Sequence, residues 1–268
     1  MDATSVSALY DALFDFESRR RGDGAYPVHK QLRFPEGRYV DVYDWIADRL
    51  RLRSADRVLD VGCGVGFGTI RLAERGVAHA TGITISRQEL SRARRASARS
   101  TRSGNVDFVR GSFDQLPREA FDVVVAVESL KHSADLRITL RAILDSMVPG
   151  GRAVLVEDVF VGDPARSDAR RVVGDWLLAR LYTEADYVMG LGGGGCRVVD
   201  LTPAVRRRGR VLLAAQRGAL NAVWVWPGAT RGAALRAFRG GLHLERLYAA
   251  GAMRYKAFFF SKDGTEPR

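Results

Sequence analysis

An α/β fold built on a doubly wound, mainly parallel sheet is what the sequence predicts, on three observations. Short apolar runs alternate with helix-length segments between residues 57 and 161, the pattern of parallel strands with helices on both faces. One run, Phe121 to Val127 (FDVVVAV), is apolar almost throughout, as expected of a strand covered on both sides. Glycines cluster where the first strand of the series gives way to a helix, in Val58 to Gly68 (VLDVGCGVGFG).

Taken in order, Val6 to Arg20 carries Leu9, Tyr10, Leu13, Phe14 and Phe16 at helical spacing, and Tyr39 to Leu52 repeats that pattern. Strand Arg57–Val61 is followed by helix Gly66–Arg75, strand His79–Thr84 by helix Arg87–Ser100, and strand Val106–Arg110 completes the first half. Strand Phe121–Val127 precedes helix Leu136–Met147, which stops at Pro149-Gly150-Gly151 before strand Arg152–Val161. Beyond it the pattern predicts a helix over Ala169–Met189, a short strand Arg197–Leu201, a helix near Gly232–Phe238 and a final strand Met253–Ser261. With no linker in its 268 residues, the chain reads as a single domain, 1–268.

Composition narrows the function. Two cysteines, Cys63 and Cys196, cannot build a disulfide framework and suit a reducing cytoplasm; no Cys/His cluster suggests a metal. The early residues lack the basic start and apolar core of a signal peptide, and no apolar run approaches the ~20 residues that span a bilayer. The formal charge is +11, with only four lysines (Lys30, Lys131, Lys256, Lys262) among 42 basic residues. From Pro203 to Lys262 twelve basic residues face the single acid Glu245, so that stretch carries the whole excess. It raises two readings: a solvated arginine-rich surface, or a site for an anion.

The glycine turn places backbone N–H groups at a helix N-terminus, an arrangement shared by many nucleotide-type ligand sites. Its spacing is G-x-G-x-G with Asp60 just before it, and the second strand ends in Thr84, so it departs from the dinucleotide fingerprint. With GITIS (Gly82–Ser86), the Leu116-Pro117 pair, FDVVVAVES and the Pro-Gly-Gly turn, residues 55–160 resemble the class I S-adenosylmethionine-dependent methyltransferases, small-molecule subgroup. The resemblance implies a Rossmann-like sheet with an antiparallel last strand. It also implies a helical lid over 1–54, a cofactor-binding core over 55–202, a substrate cap over 203–252 and the last strand at 253–262.

It further implies S-adenosyl-L-methionine as cofactor. Gly62, Cys63, Gly64 and Gly66 would wrap its methionine part, Asp60 would hold that loop near the cofactor ammonium, and Thr84, Ser86 and Gln88 would hydrogen-bond its ribose, with Ile85 also in the cofactor site. Ser112 and Phe113 stand where the family's adenine contact falls, with Asp114 as a possible substitute or a turn residue. Glu128-Ser129-Leu130-Lys131-His132 resembles the ESxxH of sugar and natural-product methyltransferases. A neutral histidine near pKa 6.5 suits removal of a hydroxyl proton, which makes His132 the candidate general base. Glu128 would position substrate or cofactor, and Glu157 or Asp158 would orient His132. Lys131 is either an anion contact or a solvated lysine, and Tyr26 and His29 are lid candidates.

The expected activity is methyl transfer to oxygen or carbon of a small molecule in secondary metabolism. A methyltransferase-fold cyclase is the alternative, and a nucleic-acid methyltransferase a lesser one, because ESLK stands where base-methylating relatives carry [DN]-P-P-[YFW]. Arg206, Arg207 and Arg208 are candidates to receive an anionic or carrier-bound acceptor. Trp224, Val225 and Trp226 belong either to the core or to a homodimer interface.

Overall fold

Strand order explains why the informative residues converge. In the computed structural model, β3 (Arg57–Val61), β4 (His79–Thr84), β5 (Val106–Arg110), β6 (Phe121–Val127), β7 (Met147–Phe160), β8 (Arg197–Asp200) and β9 (Met253–Ser261) form one sheet in the order β5-β4-β3-β6-β7-β9-β8. The structure describes residues 5–13, 26–27, 29–34, 37, 39–118, 120–163, 165–192, 195–205 and 232–264. β3 pairs in parallel with β4 on one side and β6 on the other, so the winding reverses between β3 and β6. Ligands of open parallel sheets bind beyond the carboxyl ends of the strands at that reversal. β9 lies antiparallel between β7 and β8. Two short strands, β1 (Leu32–Arg33) and β2 (Tyr39–Val40), pair with each other away from this sheet.

The helices are α1 (residues 5–13), α2 (Val42–Leu50), α3 (Phe67–Glu74), α4 (Arg87–Ser97), α5 (Leu136–Ser146), α6 (Ser167–Asp175), α7 (Glu184–Gly190) and α8 (Ala233–Ala249). β6 shows how they bury the sheet: Val123, Val125 and Val127 join one core layer, while Val124 and Ala126 join the other. A strand with no polar face is therefore what two helical layers require.

Several expected boundaries shift. The helix expected over Ala169–Met189 is two helices: Leu177 turns to positive φ after α6, and Thr183 starts α7 through a capping box with Asp186. The helix near Gly232–Phe238 continues to Ala249, because Gly240 gives room for Trp176, whose Nε1 donates to Ala237 O at 2.8 Å. Tyr39 and Val40 are strand, with Asp41 capping α2 through Tyr43 N at 2.9 Å. β7 begins at Met147, five residues early, and its register shifts across Pro149-Gly150-Gly151 before Arg152 pairs with Val123. Residues 14–20 of the first expected helix, Arg206 to Arg208 and Trp224 to Trp226 lie outside the described residues.

Candidate active site

Asp60, the penultimate residue of β3, is fully buried, accepting Tyr43 Oη at 3.1 Å and Thr69 Oγ1 at 2.7 Å. Burial pushes its carboxyl up to about 6 against those two bonds. The turn then closes tightly: Gly62 has φ 78°, and a Cβ there would lie 2.4 Å from Ser129 Cβ at the end of β6. The Gly62 and Cys63 amides both donate to Ile83 O, at 2.9 and 3.0 Å, and Gly66 N donates to Cys63 O at 3.0 Å. These amides therefore lash the turn to β4 and to itself. Gly66 opens α3, Gly64 has φ 54°, and Cys63 is a buried thiol held up by burial.

Beyond β4, Thr84 Oγ1 donates to Glu89 Oε2 at 2.7 Å, and Ser86 caps α4 by accepting Glu89 N at 3.1 Å. The Ser86 hydroxyl also donates to Asp11 of α1, while Ile85 O accepts Ser7 Oγ of α1 at 3.4 Å. Gln88 is half-buried, whereas Glu89 points back so that a Cβ on Gly64 would be 3.9 Å from its Oε1. Burial pushes the Glu89 carboxyl up to about 7, with Thr84 opposing and Asp11 adding to the rise. Glu89 thus joins Thr84 and Ser86 beside the glycine turn, a placement the sequence motifs did not single out. In the sequence it is visible only as an acid in the first turn of α4. Ser112 bonds to Asp114 (Oγ to Oδ2, 3.4 Å), Phe113 packs on the second core layer, and Asp114 accepts Thr139 Oγ1 at 2.5 Å as a turn residue does.

At the end of β6, Glu128 adopts φ 52°, its N donating to Val156 O at 2.8 Å. Buried Glu157 fixes this turn: Oε1 accepts Ser129 N at 2.9 Å and Leu130 N at 2.7 Å, and Oε2 has no hydrogen-bond partner among the described residues. Burial pushes the Glu157 carboxyl up to about 8, favouring its protonated form. His132 is half-buried, with Nε2 2.6 Å from Tyr10 Oη of α1 and its Nδ1 enclosed and unpartnered among the described residues. Burial, then the Lys131 charge, lowers its pKa to about 3.

Neither Glu157 nor Asp158 orients His132; that expectation is corrected. Glu157 binds backbone, and Asp158 takes Lys30 Nζ (2.8 Å), the Tyr248 hydroxyl and Lys131 (3.9 Å). Lys131 is not a solvated lysine either, since its ammonium lies 4.4 Å from the Trp176 ring centroid. A cavity beside Lys131 and Asp158 is walled mostly by apolar groups, among them Val172, Trp176, Leu181 and Met253. Of the two lid candidates, His29 is buried, bonding Asp41 Oδ2 at 3.0 Å, and the Tyr26 ring lies under the Arg92 guanidinium.

Strand order, the antiparallel β9 and the glycine turn at the reversal point define the Rossmann-like methyltransferase class. The chain belongs to the methyltransferase domain family, whose model matches residues 52–203, more than half of its length. The 27-O-demethylrifamycin SV methyltransferase of Amycolatopsis mediterranei (strain S699) is 38% identical over 142 residues, covering 51% of this chain and 52% of that protein. The O-methyltransferase cnsE of Penicillium expansum is 39% identical over 156 residues, covering 58% and 56%. The chain thus spans about half the length of the curated relatives it matches. The crystal structure of the [4+2]-cyclase SpnF superposes with TM-score 0.74 at 22% identity, covering 96% of this chain and 94% of that one, a likeness of fold. No described helix is long and apolar enough to cross a membrane.

Proposed function

We propose that this chain transfers a methyl group from S-adenosylmethionine to a hydroxyl oxygen of a small, largely apolar acceptor in secondary metabolism. The observation that carries the reading is His132, whose enclosed Nδ1 is unpartnered among the described residues and whose N donates to Ser129 O, the residue that Gly62 abuts. The residues fit the cofactor. Asp60 and the Gly62–Gly66 turn would hold its methionine part, Thr84 and Glu89 its ribose, and Ser112 and Phe113 its adenine. Glu89 supports this best, as a half-buried carboxyl that accepts Thr84 Oγ1 on one oxygen and turns the other toward Gly64.

When bound, the cofactor supplies an electrophilic methyl group, and the protein aligns the attacking oxygen. If Nε2–H is donated to Tyr10, His132 Nδ1 presents its lone pair for the acceptor's proton. A base held near pKa 3 suffices when proton transfer is late, since the O–H becomes strongly acidic as the carbon–oxygen bond forms. Glu128 supports oxygen over carbon: its carboxylate is matched by Lys30 Nζ at 3.1 Å instead of standing ready to steady a carbocation.

Calorimetry with S-adenosylhomocysteine tests the cofactor half, and Glu89→Ala should weaken binding about 10- to 100-fold through lost charge-assisted bonds. Incubation with methyl-labelled cofactor and candidate hydroxylated metabolites tests the transfer. Tight binding without label transfer to any acceptor, where the metabolite nonetheless isomerises, would support the cyclase alternative.

A further inference from the structure

Lys30 carries a full positive charge into the acceptor end of the site, and what surrounds it has the make-up of a receptor. Its Nζ lies 3.1 Å from Glu128 Oε2 and 2.8 and 3.0 Å from the two oxygens of Asp158. The same ammonium sits 4.9 Å from the Tyr255 ring centroid and 5.6 Å from that of Tyr248, within cation–π range. Each wall is itself anchored: Tyr255 Oη donates to Glu128 Oε1 at 3.1 Å, and the Tyr248 hydroxyl donates to Asp158. Asp158 and Tyr255 are register partners across β7 and β9, so part of the cage is built into the sheet. Glu128, Asp158, Tyr248 and Tyr255 come from the core and from α8, whereas Lys30 comes from the N-terminal segment, 98 residues from Glu128 in sequence.

We infer that Glu128, Asp158, Tyr248 and Tyr255 form a primary-ammonium receptor whose resident guest is the Lys30 side chain. An external alkylammonium ion takes the guest's place when that side chain is cut back. Two carboxylates and two tyrosine faces are the chemistry that selects a cation, and without Lys30 only Lys131, 3.9 Å from Asp158, would answer the pair, a costly shortfall for largely enclosed carboxylates. Resting on the acceptor-site reading above, one consequence follows for specificity. With Lys30 in the cage and Lys131 3.9 Å from Asp158, two ammonium groups answer two carboxylates before the acceptor arrives, and Lys30 keeps amines out.

Lys30→Ala removes the atoms of n-propylammonium, which is therefore the probe. About 50 mM n-propylammonium chloride should raise the melting temperature of Lys30→Ala by about 3 °C, a shift absent in the unmodified protein. The same concentration of sodium chloride or 1-propanol should not reproduce it, and adding Glu128→Gln and Asp158→Asn should abolish it. A shift no larger than that from salt or the alcohol overturns the inference. If Lys30→Ala does not fold, Lys30→Met decides, since it keeps the stem and loses the charge. Its melting temperature should fall and be restored by Glu128→Gln with Asp158→Asn, whereas an unchanged value overturns the inference. Calorimetry of S-adenosylhomocysteine on the unmodified protein separates the readings: no heat there, with the amine shift intact, removes the cofactor reading alone.

Discussion

At the scale of single residues, Glu157 and His132 impose opposite pH dependences on stability. Folded Glu157 keeps its proton up to about pH 8, while the unfolded carboxyl releases it near its ordinary 4.5. Stability therefore falls as pH rises through that window. His132 works the other way: its folded pKa is about 3 against an ordinary 6.5. Its contribution is present above 6.5 and is lost as pH falls toward 3. Between pH 6.5 and 8 only the Glu157 effect remains of the two. Melting curves of Glu157→Gln, whose amide oxygen still accepts from Ser129 and Leu130, should fall less over that range than those of the unmodified chain. An identical fall in both would remove Glu157 as the cause. Tyr10→Phe deletes the hydroxyl on His132 and should cut label transfer about tenfold or more, leaving S-adenosylhomocysteine affinity unchanged in calorimetry. Much of the glycine turn was legible because its chemistry is local to eleven consecutive residues. Lys30, Tyr248 and Tyr255 were not legible, because only tertiary folding brings them to Glu128 and Asp158.

At the scale of elements, α2 and α3 meet where one glycine has no substitute. A Cβ at Gly68 would stand 2.0 Å from the Tyr43 ring, and that ring carries the hydroxyl bonded to Asp60. Gly68→Ala should cost about 1–3 kcal/mol by overpacking. Chemical denaturation should show a smaller cost when Tyr43→Ala is already present, because the two changes share one contact. Strands were read from sequence within a residue or so wherever both faces are buried, since apolar runs are then continuous. The errors fell where tertiary contact overrode local pattern: Trp176 packs on Gly240 and lets α8 run through two glycines. Thr183 and Asp186 wrote a helix start into a stretch whose apolar spacing alone looked unbroken.

At the scale of the whole molecule, the basic excess is partly consumed inside the fold. Arg239 pairs with Asp175, Arg246 with Asp168 (2.9 Å) and Lys256 with Glu184, so acids of α6 and α7 answer bases of α8 and β9. A count by stretches of sequence misses this, because Arg239 and Asp175 lie 64 residues apart and Lys256 and Glu184 lie 72 apart in chain order. On the far side of the sheet, Arg152 of β7 donates to Asp56 at 2.6 Å and to Leu50 O at 2.8 Å, joining the start of β3 to the end of α2. Arg152→Leu strands a buried carboxylate and should cost about 3–5 kcal/mol. Urea unfolding should report that loss while calorimetry shows S-adenosylhomocysteine bound as before. The position of β9 has a consequence for biosynthesis. Its residues 253–261 pair with 152–160 on one side and 197–200 on the other. A nascent chain that has not yet released this segment from the ribosome holds β7 with an unpaired edge for about a hundred residues of synthesis. Such edges invite association between chains, so a stop codon placed before Met253 should yield insoluble protein even though the cofactor turn has already been made.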